Sequence, residues 1–234
     1  MYLYENINFF LNYLMWCGIL YISYPTVHLL LNSLYSPYQE ITPKHKQQYF
    51  ISNIIKGTVL GYCSYNAITI LYNFTNGSWD LENIKYLGAI YASTDMVSMF
   101  KVEKMQTNTI VHHILVQILF LLSLFIFNFD VNTLSLGIVI YAIFSTLAFS
   151  VNLYLALRLT IENDKIIKLL ATISGIIYQC CCIINWLFQI YFLFTRCDIN
   201  VIFRMIYLAV LGLIIFDDLV LIKFLIKNSF LIST

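Results

Sequence analysis

Seven apolar segments of membrane-crossing length follow one another with only short connections, and this pattern constrains the chain more than any other feature. They run roughly 7–31, 51–73, 83–100, 109–127, 132–157, 167–194 and 202–226 of 234 residues. Each lies near the ~20 residues that a helix needs to cross a bilayer. Inside a bilayer every backbone N–H and C=O must be satisfied within the segment, so apolar stretches of this length read as helices. The rest of the composition agrees. Only 11% of residues are charged, against about 25% in soluble domains, which is too little polar surface to cover a water-soluble globule. The expected fold is an all-α, polytopic bundle of about seven transmembrane helices. A formal net charge of +1 provides no basic face for nucleic acid. The first segment is long enough to span and follows Glu5 rather than a basic stretch, so no cleavable leader is expected.

Lys and Arg in the connections and helix ends set the expected orientation. With a luminal N-terminus and a cytosolic C-terminus, the cytosolic side receives Lys44, Lys46, Lys56, Lys101, Lys104, Arg158, Lys165, Lys168, Lys223 and Lys227. The other side receives Lys85, Arg196 and Arg204. Two glycosylation sequons, at Asn73 and Asn76, fall in the connection between segments two and three, which this orientation makes luminal.

The stretch Tyr91–His113 concentrates the chemistry. Asp95 lies near the end of the third segment, and His112 and His113 lie near the start of the fourth. Ionisable groups within spanning helices are costly and usually functional; the competing reading is that they join helices through hydrogen bonds. At ~1.5 Å per residue, Asp95 and His112 sit about 10 Å from the cytosolic helix ends. Asp217, Asp218, His28 and Asn152 occupy the same half, and Arg158 closes the fifth segment. Groups that avoid lipid by facing inward imply a polar cavity open to the cytosol. Asp217 and Asp218 have a plainer reading as partners of Lys223 or Arg204, and His28 a structural one beside Pro25. Consecutive helix positions lie about 100° apart, so one of His112 and His113 is expected to face the cavity and the other to orient it or to donate to a backbone carbonyl.

A His beside a carboxylate suits general-base chemistry. Four histidines are too few for a membrane di-iron centre, and the Cys180–Cys182 run points in successive directions, so no metal is expected. No P-loop, G-x-G-x-x-G or G-x-S-x-G is present. A seven-helix receptor is disfavoured by the lack of Asp-Arg-Tyr after the third segment and of Asn-Pro-x-x-Tyr in the seventh.

Three blocks resemble the TLC domain, shared by ceramide synthases, translocating-chain-associated proteins and small lipid-homeostasis proteins. They are Thr42–Tyr49, a basic lead-in; Tyr91–Asp95 with His112–Leu115, a Tyr/Asp helix and a paired-His helix; and Asn152–Arg158. The aspartate-rich stretch of the synthases has no counterpart in Tyr141–Phe149, so the resemblance is to the small non-synthase branch. It implies residues 1–39 as N-terminus and first helix, 40–226 as the TLC domain and 227–234 as a short tail. It implies a role in membrane lipid homeostasis in the endoplasmic reticulum or another endomembrane, without a cofactor. Membrane lipids are the implied partners, with a homodimer as an option. His112, His113 and Asp95 are the implied catalytic residues, with Asp217, Asp218, Asn152, His28 and Arg158 on a lipid-binding cavity. The alternative is an acyl-CoA-dependent lipid acyltransferase, with acyl-CoA as co-substrate and the His pair as general base. A third option is a protein that binds cargo or a partner.

Overall fold

The computed structural model describes residues 2–195 and 200–230, with side chains from residue 5 onward. Arg196 of the charge count and residues 231–234 of the tail lie outside the described residues. Those described are helical, without strands. In chain order the helices are α1 (Tyr2–Leu34), α2 (Ser36–Gln39), α3 (Lys44–Thr75), α4 (Leu81–Lys101), α5 (Thr107–Phe125), α6 (Leu134–Leu147), α7 (Ser150–Leu157), α8 (Asp164–Thr195) and α9 (Val201–Lys227).

All seven apolar segments fall on helix, but they do not share one environment. α1, α5, α8 and α9 are long and apolar enough to cross a membrane, and α6 with α7 makes a fifth candidate if the bent pair counts as one span. α3 and α4 fall short of that apolarity, and the reason is visible for α4. Twelve of its residues are buried, Lys85 and Asp95 among them. It packs against α1, α3, α5 and α6, so its composition answers to protein neighbours rather than to lipid. α1, α8 and α9 instead carry large apolar side chains outward, such as Leu11, Ile22, Leu187 and Phe216. Broad outward apolar surface of this kind is what a lipid-facing helix presents.

The expected single segment 132–157 is two helices bent by 43°. No proline causes the bend. The Thr146 hydroxyl donates to the Ala142 carbonyl one turn back at 2.7 Å, a back-bond that bends helices. α3 accepts the bent pair at Gly57 and Gly61. A Cβ on Gly57 would sit 2.6 Å from Leu153 Cδ2, and one on Gly61 would sit 3.1 Å from Phe149 Cδ2. This small-xxx-small spacing lets two helices approach closely.

Contacts between helix ends define two poles. At one, Gln48 Nε2 donates to Glu103 Oε1 at 3.1 Å, Lys101 stands over the Tyr21 ring, and the Arg158 guanidinium lies over Phe224. The start of the tail turns back here, with the Phe230 amide donating to Thr172 Oγ1 at 3.1 Å. At the other pole Lys85 Nζ donates to Asn6 Oδ1 at 2.9 Å, Asn6 Nδ2 donates to Asn128 Oδ1 at 3.1 Å, and Trp79 Nε1 donates to the Phe129 carbonyl at 2.9 Å. Asn128 and Phe129 hold that last turn in the left-handed region, with φ of 49° and 52°. Such a conformation costs a residue with a Cβ roughly 1–2 kcal/mol, and burial of the Phe129 ring offsets it.

Candidate functional site

Five helices converge on a polar cluster in the interior. α4 supplies Asp95, which is 0% exposed. Small neighbours on the same helix, Ala92 and Ser93, are equally buried and let α3 and α5 close over the carboxylate. From α3, Lys56 extends its ammonium to Asp95 Oδ1 while its own side chain keeps 16% exposure. From α5, His113 Nδ1 lies 3.2 Å from the same oxygen, but not aligned as a hydrogen bond. Asp95 Oδ2, on the other side of the carboxylate, is buried without a partner.

The adjacent His112 serves a different wall. Its Nδ1 is 3.2 Å from Asp217 Oδ2 on α9, and its Nε2 is 3.2 Å from the Tyr141 hydroxyl on α6. The two imidazoles meet edge to face, with centroids 5.7 Å apart. The turn of about 100° between consecutive positions thus sends one ring toward α4 and its neighbour toward α6 and α9. The same divergence separates the two aspartates. Asp217 takes Asn108 of α5 as a further donor, while Asp218 accepts from Tyr178 at 2.8 Å and from Trp186 Nε1 at 3.2 Å, both on α8. The pairing of these acids with Lys223 or Arg204, the plainer expectation, is replaced by these contacts. One turn beyond His113, Gln117 accepts from the Tyr13 hydroxyl at 2.8 Å and donates to the Ala92 carbonyl at 3.0 Å, tying α1, α5 and α4 together.

Two spaces adjoin the cluster. A narrow apolar cleft, part of it open outward, lies between α4, α5 and α6. Tyr91 and Tyr141 are on its lining, beside Leu87, Val116, Phe120 and Ala142. A smaller, more polar crevice lies between α6, α8 and α9 around Asp218, Tyr178, Cys182 and Asn185. Tyr141 lines both spaces, and its hydroxyl meets His112.

The structure therefore brings together Asp95, His112, His113 and Asp217, with Asp218 one residue along. Other sequence-predicted residues lie elsewhere. His28 Nδ1 meets the Tyr38 hydroxyl at 2.6 Å, where α2 turns back on α1. Burial pushes the Tyr38 phenol up to about 12, so it keeps its proton. Arg158 caps α7 and packs on Phe224 and Tyr49. Asn152 is half-buried on α7, with no side-chain hydrogen bond among the described residues. Asn73 lies half-buried in the last turn of α3, and the exposed Asn76 caps that helix, its Nδ2 donating to the Tyr72 carbonyl at 3.0 Å. Cys180, Cys181 and Cys182 are exposed, half-buried and buried in turn, and none is in a disulfide.

Lys56, Tyr141, Asn108 and Gln117 are members of the site that sequence reasoning missed. A signal existed for Lys56. It lies inside an apolar segment, where an ionisable residue is itself a pointer to a site, yet it was counted with the loop charges. Comparison with protein-family models, with curated proteins and with solved structures finds no match for this chain.

Proposed function

We propose that this chain is a membrane lipid-handling protein that takes an amphiphile with its polar head at the Asp95–His112–His113 cluster and its chain in the apolar cleft. The observation that carries this reading is the junction itself: buried ionisable groups abut an apolar space, and Tyr141 belongs to both. Sites of this kind combine a mainly apolar lining with a few convergent polar groups. Asp95 Oδ2, buried and without a partner, is an acceptor for a hydroxyl or N–H of such a head group.

The reading includes seven crossings in a TLC-type arrangement, with α3 and α4 as crossings, α4 sheltered by its neighbours, and α6–α7 acting as one bent span. It also includes an endomembrane location, with the Lys-rich pole in the cytosol and a role in membrane lipid homeostasis. That pole carries Lys44, Lys46, Lys101, Lys104, Lys223 and Lys227, as the excess of cytosolic lysine and arginine requires.

A second reading, acyl transfer from acyl-CoA to a lipid, is favoured by the two His–carboxylate pairs at 3.2 Å. In it one imidazole would take a proton from the attacking amine or hydroxyl as that atom bonds to the thioester carbonyl, and would pass the proton to the CoA sulfur as the C–S bond breaks. The test is a lipidomic comparison of cells expressing wild type, Asp95→Asn, His112→Ala and His113→Ala at matched protein levels. Binding without chemistry predicts altered lipid content in the purified wild type and no new lipid species. A product lipid made only by the wild type favours transfer. Lipid content indifferent to all three substitutions overturns both readings.

A further inference from the structure

We infer that Asp95, His112 and His113 form a binding site for one divalent transition-metal ion of the zinc class. Each of the three offers a ligand atom, and these atoms lie within 4.8 Å of one another. A second observation points to a ligand independently. Asp95 Oδ2, His112 Nδ1 and His113 Nδ1 are all buried without a hydrogen-bond partner. Buried polar atoms are nearly always paired; Asp95 Oδ2 has no partner, and the two histidine nitrogens each have only a carboxylate oxygen at 3.2 Å that is not paired as a hydrogen bond.

The contact between His113 Nδ1 and Asp95 Oδ1 has the same character. At 3.2 Å the two atoms are close, yet they do not pair as a hydrogen bond. Two ligands of a tetrahedral ion with bonds of 2.0–2.1 Å are separated by about 3.3 Å and are aimed at the ion rather than at each other. Nitrogen and oxygen donors in a two-His, one-carboxylate set suit zinc or ferrous iron better than magnesium or calcium. The histidine count that disfavours a di-iron centre does not bear on a single ion, which needs three protein ligands and leaves a position for a small molecule.

The surroundings supply the rest. The Tyr141 hydroxyl at His112 Nε2 is the outer-shell partner that fixes a ligating imidazole, and Asp217 Oδ2, 3.2 Å from Nδ1, is the contact that nitrogen gives up to the ion. Charge also favours a cation. Lys56 offsets one of the two carboxylates, Asp95 and Asp217, and leaves the other uncompensated while the histidines are neutral. Lys56 holds Oδ1, the oxygen that faces His113 Nδ1, and its partial exposure lets the ammonium swing outward and free that oxygen as the ion enters. Lys56 and the metal are therefore competitors for the same carboxylate.

This site does not depend on the lipid reading, and its test uses no added lipid. Full-length protein with a histidine-free tag is purified in detergent, stripped with chelator and dialysed against Zn2+, and bound zinc is counted by plasma mass spectrometry. One zinc per chain is expected. Asp95→Asn and His113→Ala should each weaken binding at least ~10-fold, the scale at which even outer-shell changes act. Lys56→Met should bind more tightly, and the double variant His28→Ala/His45→Ala, which removes the other two histidines, should bind as wild type. Zinc-edge X-ray absorption of the wild type, which needs no variant to fold, should show imidazole ligands. Monodisperse wild type that takes up no zinc, zinc without imidazole ligation, or binding unchanged in both Asp95→Asn and His113→Ala overturns the site. Altered lipid retention in those variants would leave the lipid reading standing in any of these cases.

Discussion

Replacing Lys56 with Met tests how the interior charge is balanced. Asp95 is fully buried, and its Oδ1 has the Lys56 ammonium as its one permanently cationic neighbour, since His113 is charged only when protonated. Removing one partner of a buried pair leaves the other charge uncompensated and costs roughly 3–5 kcal/mol. The reverse substitution, Asp95→Asn, leaves a lysine whose side chain is 16% exposed and can turn toward solvent, so its cost is nearer ~1–3 kcal/mol, that of losing a hydrogen-bonded acceptor. The double variant has neither charge and should be more stable than Lys56→Met alone, giving a coupling of about 2 kcal/mol or more, within the range for contacting residues. Equilibrium unfolding in mixed micelles, with chelator present to keep metal out, measures all three. Additive effects, with the double variant no better than Lys56→Met, would refute the pairing. A Lys56→Met protein as stable as wild type would refute the premise that Asp95 is charged and buried.

Three further outcomes follow from local geometry. Gly57→Ala places a Cβ 2.6 Å from Leu153 Cδ2 and 3.1 Å from the Leu153 backbone nitrogen, so it should destabilise by ~1–3 kcal/mol; the same unfolding assay should show only partial rescue by Leu153→Ala, because the backbone contact remains. Tyr141→Phe removes a hydroxyl that meets His112 Nε2; it should cost only ~0.5–1.5 kcal/mol in stability yet shift the His112 ring resonances in NMR of selectively labelled protein. Trp79→Phe removes the donor to the Phe129 carbonyl and should cost ~1–3 kcal/mol by leaving a largely buried acceptor unpaired, with faster amide exchange confined to residues 126–133.

How much of this was legible in the sequence varies by kind of information. Segment positions were, because the hydrophobic requirement acts residue by residue along the chain, and all seven runs are helical. Asp95 and the histidine pair were legible as well, since ionisable residues stand out against an apolar background. What could not be read was who meets whom. Lys56 and Asp95 are 39 positions apart, and His112 meets Asp217 across more than a hundred. Such pairings depend on how helices rotate about their axes, which apolarity on all sides does not encode. The polar residues of α4 are interior for the same reason, matched by Lys56, His113 and Asn6 rather than exposed. The bend between α6 and α7 was hidden because no proline marks it. His28 shows the opposite error: depth along a helix placed it with the site, while the return of α2 gives it Tyr38 as its partner.

The central claim is that the polar cluster and the apolar cleft act as one receptacle for a lipid. Gly88 lines the cleft, and a Cβ there would make only ordinary contacts, 3.5 Å from Phe120 and 3.6 Å from Phe129. Gly88→Leu therefore adds side-chain volume to the cleft lining from a position two helical turns before Asp95. Native mass spectrometry of wild type, Gly88→Leu and Asp95→Asn released from the same membranes measures the retained lipid directly. The account predicts a bound amphiphile on wild type that is lost or greatly reduced in both variants; a lipid-free wild type, or the same lipid retained by folded Gly88→Leu and Asp95→Asn, would contradict it.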